Sequence, residues 1–413
     1  MLNLFSSQNF LIRNLNITLN NLIAISILVS GSLTWVFLII YTFEDLFQSI
    51  ITDSIWISIG EASFLAFIAF SAIIGSFLSH KISRKKLLII STTMGIIATA
   101  SIGVITTEHL ILPVSIFLGV SLGLVYPSFM AFLAEKTIPE ERGRVAGFVI
   151  FLTFIITAFS SVLATSFGLI AVIVIGVILR SSSYIVCFLG SCERENGTPK
   201  SWQSIFSHKI FSRYLFPWLI FNISSGLMAF VFLGLPQTSD YIWAEELGNL
   251  LHILGAGVFG LVGGFVADRF GRKQPVILGM VLLGVAFGVL GIAPSPLSLI
   301  AYLILSGVAW GFLIVVYTAV PGDVAFVGSK EKFYALGIIL PLMIYTGLPT
   351  IAVLLNIKFQ AGGLSAVLSI IMFLSILPVL QAKETLSKTK TSERKMKEYV
   401  DKVGKIIQES KKS

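Results

Sequence analysis

The chain consists mainly of long runs of apolar residues separated by short polar segments. Twelve of these runs are close to the roughly 20 residues that an α-helix needs to cross a bilayer. They lack the strict alternation of barrel strands, so helices, which satisfy their own backbone hydrogen bonds, are predicted. The predicted spans are Thr18–Tyr41, Ile55–Ser79, Leu87–Thr107, Leu110–Ala134, Val145–Phe167, Leu169–Gly190, Tyr214–Leu235, Leu247–Ala267, Pro275–Ala293, Leu297–Val320, Phe333–Asn356 and Gly362–Ala382.

The composition supports a membrane protein. Hydrophobic residues make up 55% of the 413 residues and charged residues 12%, whereas soluble domains have about 25% charged residues. The segment Met1–Asn16 has one arginine and no small-residue cleavage site, so it is not predicted to be a removed signal peptide. Cys187 and Cys192 have no paired histidines nearby, so neither a disulfide framework nor a zinc site is predicted.

The basic residues indicate the orientation of the chain. With twelve spans, the segments on the N-terminal side contain every lysine and arginine except Lys358 and Arg180, and Arg180 falls inside a span. By the positive-inside rule both termini are predicted to be cytoplasmic, in a cell membrane. An odd number of spans would put the basic clusters on opposite sides, so their distribution supports an even number.

Two basic turns recur at corresponding places in the two halves of the chain. The segment 75–86 reads G-S-F-L-S-H-K-I-S-R-K-K, and the segment 263–274, which begins 188 positions later, reads G-G-F-V-A-D-R-F-G-R-K-Q. The same offset pairs Gly123 with Gly311, Glu135 with Asp323, Arg142 with Lys330 and Arg144 with Lys332. The repeat predicts a six-helix half at 1–190, a cytoplasmic linker at 191–212, a second half at 213–382 and a tail at 383–413.

The second turn, G-G-x-x-A-D-R-x-G-R-K, resembles the loop motif of the major facilitator superfamily between helices 2 and 3 and between helices 8 and 9. The segment 138–144, I-P-E-E-R-G-R, is similar to the P-E-x-x-R-G-R pattern of sugar porters and related families. The resemblance implies an all-α integral membrane fold with twelve transmembrane helices in two pseudo-symmetric six-helix halves. It also implies transport by alternating access, with the solute site between the halves near the midplane.

The chain departs from the proton-coupled drug antiporters of this superfamily at two places. Gly119 stands where those antiporters have an arginine, and the fifth span reads T-A-F-S-S at 157–161 instead of their Gly-Pro motif. A drug/proton antiporter of that kind is therefore disfavoured.

The resemblance also implies a cytoplasmic gate, in which the cations of each turn meet the acid at the end of the fourth helix of the same half. The gate residues are Gly75, His80, Arg84, Lys85, Glu135, Arg142, Gly263, Asp268, Arg269, Gly271, Arg272, Lys273 and Asp323. His80 is a poor substitute for a carboxylate at neutral pH, so the first-half latch is expected to be weaker or pH-sensitive. The alternative is that these cations only set the topology and face lipid headgroups.

Polar residues inside spans are costly in lipid and normally face a cavity. By the resemblance, helices 1, 4, 7 and 10 line the solute path, and their candidate residues are Thr34, Trp35, Tyr126, Asn222, Trp310 and Tyr317. Hydroxyl, amide and aromatic groups with almost no charge predict a small, neutral or mostly apolar organic solute. The alternative is that serines and threonines bond their own helix while the aromatic residues form interface belts.

Three ionisable residues remain inside the spans. Arg180 lies near the centre of the sixth span, where an unpaired arginine costs at least ~2.5–3.5 kcal/mol, so it should face a partner or water in a functional or a structural role. Glu61 and His252 lie toward the outer ends of the second and eighth spans. By the resemblance they are candidates for the outer gate and for proton coupling; ordinary interface placement is the alternative.

The tail Lys383–Ser413 has an amphipathic helical pattern, formed by Met396, Tyr399, Val400, Val403, Ile406 and Ile407. It is predicted to lie on the anionic inner leaflet or on the cytoplasmic loops, and a solvated, partly disordered tail is the alternative. The topology accounts for the basic charge and no binding motif accompanies it, so a nucleic-acid partner is not predicted.

These features predict a secondary active or facilitative transporter that works as a monomer, without cofactor or metal. Substrate, direction and a coupling proton are left open. One alternative is a non-transporting sensor or receptor on the same fold. The other, a membrane-embedded enzyme, would need a cluster of catalytic side chains at one depth, and the four histidines are scattered at 80, 109, 208 and 252.

Overall fold

The computed structural model describes residues 16–48, 54–189, 194–195, 197–232, 234–236, 238–357 and 359–386, whose regular structure is helical throughout. In the first half, α1 comprises Leu19–Ile25, a π-helical turn at Ser26–Ser30 and Gly31–Gln48. It is followed by α2 (Ser54–Lys81), α3 (Arg84–Ser101) and α4, which consists of Ile111–Gly123 and Tyr126–Lys136. Helices α5 and α6 together occupy Pro139–Leu189.

The second half begins after a short linker helix, Trp202–Phe206. Its first four long helices are α7 (Lys209–Phe232), α8 (Ser239–Phe270), α9 (Lys273–Ile292) and α10 (Pro296–Val324). Helix α11 comprises Lys330–Tyr334, a π-helical turn at Ala335–Ile339 and Leu340–Leu355, and α12 comprises Ala361–Leu374 and Leu377–Gln381.

Gly168 separates α5 from α6. Its backbone has φ 65° and ψ −153°, a region that essentially only glycine adopts. An unbroken helix of 51 residues would be about 75 Å long, more than twice the hydrocarbon thickness of a bilayer of about 30 Å. The segment is therefore two membrane-crossing helices joined at Gly168.

Ten helices of the described residues are long and apolar enough to cross a membrane. One of the ten contains both α5 and α6, and α11 is not among them, so the arrangement is compatible with the twelve predicted spans. The helices extend beyond the predicted spans at the charged turns: α2 ends at Lys81 instead of Ser79, and α8 at Phe270 instead of Ala267. The hydrophobic pattern stops earlier because these last turns contain polar residues, such as Asp268, that form ion pairs.

Glycines allow the helices of the two halves to pack closely. A Cβ at Gly147 of α5 would lie 2.7 Å from the carbonyl oxygen of Gly260 of α8, and the backbones of Gly143 and Gly264 also approach each other. Small residues at such crossings are typical of helix packing in membranes. The predicted amphipathic pattern of the tail lies outside the described residues.

Candidate functional site

The two basic turns lie at the same end of the helices, which we call the basic end. In the second half, the guanidinium of Arg272 pairs with Asp323 at 2.8 Å and with Asp268 at 2.6 Å. All three side chains are almost completely buried. The predicted meeting of the turn with the end of the fourth helix of its half, α10, is therefore present in the structure.

The same carboxylates also bind the first half. Asp323 forms an ion pair with Arg142, and Asp268 accepts hydrogen bonds from the backbone N–H groups of Gly143 (2.9 Å) and Arg144 (2.8 Å). These N–H groups lie near the N-terminus of α5, where the helix dipole favours a negative charge. A Cβ at Gly143 would lie 2.5 Å from Asp268 Oδ1, so a glycine is needed for this contact.

The first half has a corresponding cluster with a different arrangement of charge. Arg84 binds Glu135 through two hydrogen bonds of 2.7 and 3.0 Å and lies 3.4 Å from Glu331 of α11. The 188-residue offset relates His80 to Asp268 and Glu331 to Gly143. Each turn arginine thus has two carboxylate partners, but in the first half the second carboxylate lies on α11 instead of α2. Comparison of the turns alone missed Glu331 because it belongs to another helix.

The remaining predicted gate residues have different surroundings. Gly75 lies against the backbone of Leu124, and Gly263 against that of Phe312. His80 is half-buried, and its Nε2 has no hydrogen-bond partner among the described residues. Lys85 and Arg269 are exposed, as expected for cations that face lipid headgroups.

The residues after α12 also reach the second-half cluster. Glu384 accepts hydrogen bonds from the backbone N–H groups of Arg272 (2.8 Å) and Lys273 (3.3 Å) at the start of α9. Gly271, with φ 100°, lies next to this carboxylate, and Lys273 Nζ donates to the carbonyl oxygen of Leu380 at 3.1 Å. The chain after α12 is therefore attached to the turn between α8 and α9.

The linker packs on the turn between α10 and α11. Arg194 pairs with Glu331 at 2.8 Å. The backbone N–H of Lys200 donates to Ser329 Oγ at 2.8 Å, and Lys332 Nζ donates to the carbonyl oxygen of Lys200 at 2.7 Å. Glu331 thus joins three parts of the chain: the first turn, the linker and α11.

A small, mostly apolar cavity lies between the helices, one turn farther from the basic end than this network. Its empty volume is about 350 Å³, including the part that opens towards solvent. The lining residues are Leu33, Phe37, Tyr126, Met130, Ile150, Trp218, Trp310, Ile314, Tyr317 and Thr318. They come from α1, α4, α5, α7 and α10, and include three of the predicted residues, Tyr126, Trp310 and Tyr317.

The other three predicted cavity residues are engaged elsewhere. Thr34 donates to the carbonyl oxygen of Thr153 of α5 at 3.2 Å, and Trp35 Nε1 donates to Thr99 Oγ1 of α3 at 2.9 Å. Asn222 Nδ2 donates to the carbonyl oxygen of Trp218, four residues earlier in α7. All three side chains are buried and none lines the cavity. The sequence analysis did not select Trp218, because an aromatic residue in an apolar helix is not distinctive. Its position one helical turn before Asn222 could have indicated that it lies on the same face of α7.

The helices close between the cavity and the ion pairs. A Cβ at Gly322 of α10 would lie 2.6 Å from the Cβ of Ala134 of α4 and 2.7 Å from the hydroxyl of Tyr334 of α11. That hydroxyl donates to the carbonyl oxygen of Thr318 at 2.9 Å. The cavity is therefore separated from the basic end by a layer of packed side chains and then by the ion pairs.

Arg180 is buried in the first half. Its Nη2 donates to the carbonyl oxygens of Ser91 (2.9 Å) and Ser121 (3.1 Å), and its guanidinium lies 4.9 Å from the ring centroid of Trp35. Gly95 leaves the space for this side chain. Arg180 of α6 thus connects α1, α3 and α4, and in the described part of the chain it pairs with no carboxylate.

The two candidates for the outer gate have separate surroundings. His252 Nδ1 lies 2.9 Å from Ser306 Oγ of α10. Glu61 is half-buried, with Glu44 and Tyr345 as its electrostatic neighbours. Within the described residues, no hydrogen bond or ion pair joins Glu61 to His252.

Comparisons with known proteins agree with this arrangement. The family model described as Major Facilitator Superfamily matches residues 21–325. The structure of the human organic anion transporter MFSD10 (TETRAN) is similar at TM-score 0.69 and 14% identity, covering 87% of this chain and 99% of that chain. The structure of the proton:xylose symporter XylE bound to 6-bromo-6-deoxy-D-glucose is similar at TM-score 0.66 and 14% identity, covering 88% and 96%.

No curated protein matches the chain by sequence. At 14% identity the two solved structures share the fold with this chain, while the family model matches well over half of its length. The chain is thus a multi-pass membrane protein that belongs to the major facilitator superfamily, a family of transporters.

Proposed function

We propose that the protein moves a small, neutral or mostly apolar organic solute across a cell membrane, by exposing the central cavity alternately to its two sides. The observation that supports this proposal is the position of the cavity beside ion pairs that join the two halves. For the basic end to open, Arg142 must separate from Asp323, and the start of α5 must separate from Asp268. These bonds are the contacts that differ between two states of a transporter.

The chemistry of the cavity supports an uncharged solute. No aspartate, glutamate, lysine, arginine or histidine belongs to its described lining. One similar structure is named as an organic anion transporter and the other as a proton:xylose symporter, so the two names indicate different solutes. An organic anion would need a cation beside it when it loses its water, and the lining offers none.

Alternating access can be tested with a single reporter cysteine. In a chain with Cys187 and Cys192 replaced by serine, Met130→Cys places a thiol in the cavity lining, and Met372→Cys places one in α12, buried outside the cavity. A membrane-impermeant thiol reagent should label Met130→Cys from the side opposite the basic end. It should label the same cysteine from the basic end more slowly, and Met372→Cys from neither side.

Flux gives the second test. Proteoliposomes that contain the protein should take up some neutral solutes from a mixed panel faster than protein-free liposomes. In the Met130→Cys variant, complete labelling with an excess of the thiol reagent should slow that uptake. If Met130→Cys reacts from one side only under all conditions and the panel shows no protein-dependent flux, the transport proposal is wrong. A sensor on the same fold would then be favoured.

A further inference from the structure

Aromatic rings form a fixed flat surface in the cavity wall. Trp218 stacks on Tyr317, with centroids 4.5 Å apart and an interplanar angle of 16°, and on Phe221, at 5.3 Å and 14°. Trp310 meets Trp218 edge-on at 5.8 Å. The hydroxyl of Tyr317 donates to the carbonyl oxygen of Tyr214 at 2.8 Å, which holds the stack in place. Flat, immobile aromatic surfaces favour stacking with another planar π-system.

Hydrogen-bond donors exceed acceptors among the side chains of this wall. Trp218 is 1% exposed, and its Nε1 has no hydrogen-bond partner within the described residues. Across that same part of the chain, neither the indole N–H of Trp310 nor the hydroxyl of Tyr126 makes a hydrogen bond. The only side-chain hydroxyl besides the two tyrosines belongs to Thr318, which donates to its own helix. A buried indole N–H without an acceptor is unfavourable, so a ligand that supplies an acceptor removes a penalty.

We infer that the cavity binds a planar, uncharged aromatic compound with a hydrogen-bond acceptor, such as an aryl ketone or ester, stacked on Trp310 or Tyr317 with its carbonyl oxygen on an indole N–H. The inference rests on the proposed function and adds the chemical class of the solute. A purely aliphatic compound would not use the aromatic surface, and an ionised compound would lose its hydration without a counterion.

Four small probes separate these requirements. Acetylnaphthalene has the ring and the carbonyl acceptor, ethylnaphthalene has the ring alone, naphthoate adds a negative charge, and cyclohexyl methyl ketone has the acceptor without the aromatic ring. Equilibrium binding to the full chain in nanodiscs is measured against protein-free nanodiscs, which corrects for partition into lipid. We expect acetylnaphthalene to bind most tightly, with ethylnaphthalene roughly 2- to 10-fold weaker because it lacks one hydrogen bond.

The variant Trp218→Phe keeps an aromatic ring and removes the N–H, and Trp310→Phe does the same on α10. At least one of the two should abolish the preference for acetylnaphthalene over ethylnaphthalene, measured as the ratio of the two affinities within each variant. Trp243→Phe is the matched control, because Trp243 is 59% exposed and lies outside the cavity. If Trp218→Phe does not fold, Trp310→Phe and Tyr126→Phe still give the comparison.

Each other outcome counts against the inference. Equal affinity of the wild type for acetylnaphthalene and ethylnaphthalene would show that no hydrogen-bond acceptor is required. Tightest binding of naphthoate would show that the preferred ligand is an anion. Tightest binding of cyclohexyl methyl ketone would show that no aromatic ring is required. If none of the probes binds, the whole inference is wrong. Because these are binding measurements, they are independent of the labelling and flux tests. Alternating access with an unrelated solute would support the proposed function and overturn the inference alone.

Discussion

At the scale of single residues, the exchange of charge between His80 and Glu331 is the most informative difference between the two halves. In the second half a carboxylate on the turn, Asp268, accepts a hydrogen bond from the backbone of Gly143; the equivalent positions of the first half hold His80 and Glu331. His80 led to the prediction of a first-half latch that is weaker or pH-sensitive, because the comparison of the turns did not include the second carboxylate partner of Arg84, Glu331 of α11. Glu331 is 1% exposed and contacts Arg84 and Arg194, so the first half also has a buried ion-pair network.

Replacing Glu331 tests this exchange. Glu331→Gly should lower the thermal stability and raise the labelling of Met130→Cys from the basic end. The physical reason is that removing one member of a buried ion pair costs ~3–5 kcal/mol, and Arg194 loses its only carboxylate partner among the described residues. Adding His80→Asp restores the arrangement of the second half and should recover at least half of the loss in stability. A double variant that is no more stable than Glu331→Gly alone would contradict the exchange.

His208 gives a prediction for pH. Its Nδ1 accepts the backbone N–H of Phe211 at 3.2 Å, and its ring lies edge-on to Phe326 and Phe333. Burial lowers the pKa of His208 below its usual value, so the folded state binds a proton less readily than the unfolded state. This contribution to stability is present above the unfolded pKa of about 6.5 and is lost as pH falls through the folded pKa.

The apparent melting temperature of the wild type should therefore fall between about pH 7.5 and about pH 5.5. His208→Asn keeps a side-chain acceptor at the N-cap but cannot titrate, so its melting temperature should fall less over the same range. Differential scanning fluorimetry in detergent measures both proteins. Parallel pH curves for the two would show that His208 does not contribute.

At the scale of the elements, Arg180 shows how a buried charge can hold several helices together. It joins α6 to α3 and α4 through two backbone carbonyl oxygens and to α1 through the ring of Trp35. Trp35 lies close along α1 to Leu33 and Phe37, which line the cavity. Arg180 therefore contacts the helix that contributes Leu33 and Phe37 to the cavity wall.

Arg180→Met should reduce the free energy of unfolding by about 1–3 kcal/mol, because it removes two hydrogen bonds from a buried guanidinium to backbone carbonyl oxygens. Arg269→Met is the matched control: Arg269 is exposed, and such a change should stay within about 0.5 kcal/mol. Thermal unfolding of the two variants in the same detergent compares them. Equal stability would mean that the bonds of Arg180 contribute nothing net.

The sequence predicted most of the helices because membrane spans are set by apolar length, which is a local property. It did not predict their ends at the charged turns, since Asp268 and Arg272 are stabilised there by residues more than a hundred positions away, such as Pro139 and Gly143. The sequence predicted only some of the cavity residues, because cavity lining also depends on contacts between helices that are distant in the chain. Tyr126, Trp310 and Tyr317 lie on its wall, whereas Thr34 and Asn222 bond to backbone carbonyl oxygens, and the choice between these environments depends on how the helices are rotated.

At the scale of the whole molecule, Asp323 links the two halves most directly, since it pairs with Arg142 of the first and Arg272 of the second. Asp323→Asn removes the negative charge between two buried guanidinium groups and should disfavour the state closed at the basic end by about 3 kcal/mol, or roughly a hundredfold in population. Labelling of Met130→Cys from the basic end should rise. Asp240→Asn, at an exposed position of α8, is the matched control, and equal labelling in the two variants would contradict a gating role.

The candidate residue for proton coupling, Glu61, lies at the opposite end of the molecule. Glu61 of α2 is half-buried, and Tyr345 of α11 and the carboxylate of Glu44 are its electrostatic neighbours. An ionised carboxylate is unfavourable in apolar surroundings without a cation, so closure around Glu61 should be easier once it is protonated. Closure of that end accompanies opening of the basic end in an alternating-access cycle.

Lower pH should therefore increase labelling of Met130→Cys from the basic end in the wild type. Glu61→Gln, which mimics the protonated side chain, should show the high labelling rate at every pH. Glu245→Gln is the matched control, because Glu245 is an exposed carboxylate on α8, and it should keep the pH dependence of the wild type. Because the thiolate is the reactive form, the rates are divided by the rate of a free thiol at each pH. A wild type whose corrected rate is independent of pH would contradict a coupling role for Glu61.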